Sequence, residues 1–160
     1  MKELIRKILK EEINNKKYDM LSFYKNSPKI DVEITKENLD LLDDFMWYLI
    51  DFVDYEEDYD YNRIHDFIEN LVRYGFIKKS VAKYFSVWLS RKKNSLWDIF
   101  IDVDLPHVGG DDSFNDWLYH VISLGKDVYE KALNRDDKIM NLLYSLEPEE
   151  SFNYAIPYFN

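Results

Sequence analysis

The sequence predicts an all-α fold, a single compact domain of about six to eight helices covering residues 1–160. Three observations lead there. Only four Gly and four Pro occur in 160 residues, too few tight turns for a sandwich or barrel of short strands. Apolar residues recur at helical spacing through most of the chain. Apolar content of 46%, with 17% aromatic, provides for an ordinary core and excludes a disordered chain.

Residues 2–12 carry Leu4, Ile5, Ile8 and Leu9 on one helical stripe, interrupted by Asn14 and Asn15. Leu21, Phe23 and Tyr24 form a further helical turn that Pro28 must end, because proline excludes the helical conformation from the residue before it. Ile30, Val32 and Ile34 alternate with Asp31 and Glu33. No second such run lies nearby to pair with them, so this is an extended connector. Thr35 is a candidate N-cap for a helix running to about Val53, whose face of Leu39, Leu42, Phe45, Met46, Leu49, Ile50 and Val53 belongs to the core. Asp43, Asp44, Asp51 and Asp54 fall largely on the other side.

Residues 54–61 are too charged for core and read as a loop. Asp60 or Asn62 then caps a helix through Ile64, Phe67, Ile68, Leu71 and Val72 that ends at Gly75. A fourth helix carries Val81, Tyr84, Phe85, Trp88 and Leu89. It stops near Arg91, Lys92 and Lys93, cations that suit a helix C-terminus. Ser95 and Asp98 resemble a capping box for a short helix with Leu96, Trp97, Ile99, Phe100 and Val103. Pro106 ends it, Gly109 and Gly110 turn the chain, and Asp111 or Asp112 caps the next helix with Phe114, Trp117, Leu118, Val121 and Ile122 inward. Gly125 ends that helix or marks a close backbone approach. The stripe continues through Val128, Tyr129, Ala132 and Leu133. Asp136 and Asp137 open a last helix through Ile139, Leu142, Leu143 and Leu146, and the aromatic tail from Ser151 docks as a strap.

Charge narrows the function. The net charge is −10, and residues 94–160 hold 4 basic against 13 acidic side chains. Between Glu37 and Asp60 there are ten acidic residues and no basic one. Duplex binding needs clustered Lys and Arg to displace counterions, so nucleic acid is excluded as a partner for these regions. No cysteine is present, which removes disulfides and thiolate metal sites. No signal peptide or membrane span is apparent, and a cytoplasmic protein is the simple reading.

The tyrosines within the acid run are the feature most suggestive of recognition. Tyr55, Glu56, Glu57, Asp58, Tyr59, Asp60 and Tyr61 combine rigid amphipathic area with charge that selects a Lys- and Arg-rich partner. Asp102, Asp104 and Asp111 extend the acidic surface. The bland alternative is a solvated acidic loop. With His107 and Asp112, the second group also offers oxygen and imidazole donors for a hard metal, the basis of an alternative reading as a metal-dependent hydrolase or nuclease. Its spacing fits no EF-hand, and here too a solvated, helix-capping loop is the bland alternative. His65, His107 and His120 form no zinc motif. His65 reads as a surface residue, and His120 packs at the margin of its stripe. No nucleophile elbow or phosphate-binding glycine loop occurs. The leading expectation is therefore a non-enzymatic, cofactor-free module that binds a basic protein partner such as a toxin, in the manner of an immunity or inhibitor protein. A second alternative is a mimic of nucleic-acid charge that blocks a DNA-binding enzyme.

Asp111, Asp112, Ser113 and Phe114, then Trp117, residues 122–126, residues 128–130, and Ala132 with Leu133 together resemble the signature of one bacterial family. It is catalogued as domain of unknown function 4240, and the resemblance covers mainly residues 96–133. The resemblance implies a small cytoplasmic helical protein, with some members linked to toxin-immunity or other bacterial conflict loci. Leu118 stands where the family usually has Arg and His120 where it usually has Trp, so no role of that Arg carries over.

Overall fold

The computed structural model describes residues 2–5, 19–55, 60–149 and 152–159. Residues 2–5 are helical, and the rest of the expected first helix lies outside the described residues. The helices then follow as α1 (Met20–Asn26), a 3-10 turn (Leu39–Leu42), α2 (Asp43–Val53), α3 (Tyr61–Arg73), α4 (Lys79–Ala82), α5 (Phe85–Phe100), α6 (Asp111–Ser123), α7 (Lys126–Leu133) and α8 (Asp137–Tyr144). A 3-10 turn (Phe152–Ala155) closes the series. No strand occurs among the described residues, and the all-α expectation holds.

Local chemistry sets many of the boundaries. The Asp19 carboxylate accepts from the Ser22 N–H at 2.8 Å to start α1, and Ser27 turns extended ahead of Pro28 to end it. The Asp60 carboxylate accepts from the Arg63 N–H at 3.2 Å to cap α3. That helix closes with Gly75 at φ 80° and the Phe76 N–H donating to the Leu71 carbonyl at 2.9 Å. Asp136 does for α8 what Asp60 does for α3, accepting from the Ile139 N–H at 3.1 Å.

Four boundaries differ from the sequence expectation. Thr35 does not cap α2. The Thr35 N–H instead donates to the Asn38 side chain at 2.7 Å, whose amide donates back to the Glu33 carbonyl at 2.8 Å, and this turn feeds the 3-10 segment. The stripe from Val81 to Leu89 is split at Lys83 and Tyr84 into α4 and α5. Past that break, α5 does not stop at Arg91, Lys92 and Lys93. No Gly or Pro interrupts it, and two of the cations find partners sideways rather than at a helix end. Lys92 pairs with Asp43 at 3.1 Å, and Lys93 donates to the Asn115 side chain at 3.3 Å. Ser95 accordingly caps nothing; its hydroxyl donates one turn back to the Arg91 carbonyl at 3.2 Å. Lastly, Gly110 rather than Asp111 or Asp112 takes the N-cap position of α6, at φ 97° and with no side-chain cap. The two aspartates lie in the first turn, where the helix dipole favours them.

The apolar face expected for α2 is buried in full, and the core it anchors runs from Met20 to Ile156. Trp88 and Trp117 are the largest fully buried side chains. The Trp117 indole donates to the Leu146 carbonyl at 3.1 Å, and His120 Nδ1 lies 2.8 Å from the Glu147 carbonyl. These two contacts tie α6 to the segment after α8. His120 is therefore core, not margin. The aromatic tail docks as expected, packing its 3-10 turn on α3 and α6.

Candidate functional site

Residues 54–61 join α2 to α3, and the tail packs against the two ends of this segment, at Tyr55 and at Tyr61. Asp54 closes α2 in the left-handed region at φ 43°. The next residue turns inward: Tyr55 is 1% exposed, with its ring 5.1 Å from that of Phe152. Tyr55 is thus a core residue and offers no contact area, a correction to its expected place among the partner-binding tyrosines. The cause is tertiary. Phe152 arrives from the far end of the chain and supplies a buried aromatic surface that local charge gives no hint of. Glu56, Glu57, Asp58 and Tyr59 lie outside the described residues.

At the far end of the same connection, Asp60 is half-buried as the α3 cap and Tyr61 is half-buried beside it. The Tyr61 ring packs 5.7 Å from that of Tyr154, which is 59% exposed. Tyr158, a few residues on, is 86% exposed. The tail therefore removes one tyrosine from the surface and adds two. Neither Tyr154 nor Tyr158 was singled out from sequence. Their exposure is the only signal, and it depends on how the 3-10 turn sits on α3.

Asp51 stands one turn before this connection. Its carboxyl is pushed above the ordinary carboxylate value by partial burial and then by the charge of Asp54. The burial is visible at Gly125, the N-cap of α7 with φ 104°, where a Cβ would stand 2.7 Å from Asp51 Oδ1. Gly125 lies between α6 and α7, so the reading that it ends the helix holds; the close approach there is to a side chain, not to backbone.

The second acidic group is arranged differently. Asp102, Asp104, His107, Asp111 and Asp112 are all exposed, spread along the connection from α5 into α6. Asp111 makes a local contact, its backbone carbonyl accepting from the Asn115 amide at 3.1 Å. Among the described residues these side chains bring no three ligand atoms together. The group that does is His65, Asp66 and Glu69 on α3, whose ligand atoms lie within 4.8 Å of one another.

A polar node within the aromatic core also escaped the sequence reading. The Trp88 indole donates to Asp43 Oδ1 at 2.7 Å, and the same oxygen pairs with Lys92. The Lys92 ammonium lies 5.3 Å from the Trp88 ring and 5.7 Å from the Tyr129 ring, while the Tyr129 hydroxyl donates to the Lys92 carbonyl at 3.2 Å. Burial raises the Tyr129 phenol above its ordinary value, against the opposing pull of a Ser95 hydrogen bond and with a smaller push from the Asp43 charge. The node joins α2, α5 and α7, and each polar partner is already engaged within it, so we read it as a structural lock. Asp43 is consequently turned toward α5 and not simply on a solvent face.

Compared with models of protein families, with curated proteins and with solved structures, the chain matches none. Among the described residues, no helix is long and apolar enough to cross a membrane.

Proposed function

We propose that this protein is a non-enzymatic interaction module that captures a basic protein partner, acting as an inhibitor or immunity protein in the cytoplasm. The observation that carries the reading is the pairing of Tyr61, next to the Asp60 cap, with the exposed Tyr154, in a chain whose sequence is acidic just before Tyr61 and whose Tyr158 is also highly exposed. Tyrosine rings give large contact area for little lost side-chain entropy, and surrounding carboxylates favour Lys and Arg in the partner and speed its approach. The resemblance of residues 96–133 to the domain of unknown function 4240 family agrees with this role through its association with conflict loci. The spread of the Asp102 to Asp112 side chains lends no support to the metal-dependent alternative.

The test is capture of a partner from the source cell, identification of it, and calorimetry on the purified pair. The expected result is a stoichiometric complex that weakens as salt is raised. Tyr154→Ala should weaken it about tenfold or more, as for an interface anchor. The Asp102→Asn, Asp104→Asn double variant should change it by less than about twofold, as for a rim charge. Failure to recover any stoichiometric partner, or affinity indifferent both to salt and to Tyr154→Ala, would sink the proposal.

A further inference from the structure

One stretch of this acidic chain has the opposite sign. Residues 70–97 hold seven Lys and Arg and no Asp or Glu. A cleft of about 290 Å³ opens at the edge of that stretch, between the end of α1 with its connector and the turn joining α3 to α4. Its floor is aromatic, closed by Phe23 and Phe45, both almost wholly buried. Its wall is the Tyr24 and Phe76 pair, ring centroids 4.9 Å apart, with Tyr24 still 41% exposed.

The mouth carries Lys29 and Lys78, both exposed, against a single carboxylate, Asp31. Lys29 is held in place: its ammonium lies 3.8 Å from the centre of the Tyr24 ring, reaches the Ser27 hydroxyl at 3.2 Å and donates to the Tyr24 carbonyl. Among the described residues neither lysine is ion-paired. Two cations against one anion leave the mouth with an excess of one positive charge.

We propose that this cleft binds a small aromatic monoanion, one or two fused rings bearing a carboxylate or sulfonate. The ring would lie against the accessible Tyr24 and Phe76 wall, above a floor closed by Phe23 and Phe45, where aromatic pairs gain beyond area burial. The anionic group would meet Lys29 and Lys78 at the mouth. The volume lies at the small end of ligand pockets, which begin at about 300 Å³, and this excludes dinucleotides and other large anions. The charge argument rests on Lys29 and Lys78 facing one carboxylate at this mouth, a local excess of positive charge on a chain of net charge −10. The site is separate from the tyrosine face, and its test does not depend on the proposed function.

The experiment is a ¹⁵N–¹H correlation titration of the full chain with 2-naphthoate and, in parallel, with neutral 2-naphthamide. Saturable shifts are expected at the amides of Tyr24, Gly75, Phe76 and Lys78, with the acid binding about tenfold or more tightly than the amide, a difference of about 1.4 kcal/mol. The Lys29→Gln, Lys78→Gln double variant should bring the acid down to the affinity of the amide and leave the amide unchanged. Both positions are exposed, and an unaltered thermal melt would show that the fold is retained. Absence of saturable shifts in the cleft at millimolar ligand would overturn the proposal. Equal affinity for acid and amide would do the same, as would shifts centred elsewhere.

Discussion

Residues 54–61 and 102–112 are both short, acid-rich connections between helices, yet the fold holds them by different means. The first is pinned at Tyr55, whose ring is buried against Phe152 from the tail, and is capped into α3 by Asp60. The second holds its acids exposed and depends on backbone, chiefly Gly110 in the left-handed region, to enter α6. Two acid-rich connections are therefore entered and left in different ways. In the first, Phe152 covers Tyr55 and the same tail places Tyr154 against Tyr61. The carboxylates of the second are spread along an exposed connection, where solvent and salt screen charge.

Removing the anchor is the most severe test of that contrast. Phe152→Ala should cost about 3–5 kcal/mol of stability, the range for truncating a buried phenylalanine. Urea unfolding would measure it, and a loss under about 1 kcal/mol would mean that the tail does not hold the first connection. The second connection should fail more gently. Gly110→Ala meets open space, so its cost is that of an L-residue at φ 97° and ψ 173°, about 1–3 kcal/mol by the same measurement. A neutral outcome there would show that the turn relaxes without a left-handed residue.

The smallest effect concerns the charge stored beside the first connection. Asp51 has its folded pKa raised above the ordinary 3.8, so its ionised form is disfavoured by folding. The destabilisation is present at neutral pH and disappears as the pH falls below the unfolded value, where the group is protonated in both states. Asp51→Asn should therefore stabilise the protein at pH 7, by less than about 1 kcal/mol given its partial exposure, and have no effect at pH 3. Thermal melts at the two values would decide it. An equal gain at both would assign the effect to packing at Gly125 rather than to charge.

Much of the architecture was legible because helical periodicity and capping are local. The inward faces of α2, α3 and α6, the Asp60 and Asp136 caps and the Gly75 stop can each be read within a few residues. The misreadings have a common origin. Arg91, Lys92 and Lys93 suggest a helix end only while Asp43 and Asn115 are unknown as lateral partners. Tyr55 suggests an exposed contact only while Phe152 is unknown as its cover.

The same division holds for the candidate site. Sequence alone determined the all-α class, the core faces and the segregation of charge, since these follow from residue type and spacing along the chain. Only the tertiary structure decided which tyrosines face outward, that Asp43 turns inward to Trp88 and Lys92, and that an aromatic cleft opens beside the basic stretch. Those outcomes depend on pairs of residues up to about a hundred positions apart, and burial is a property of the pair rather than of either residue.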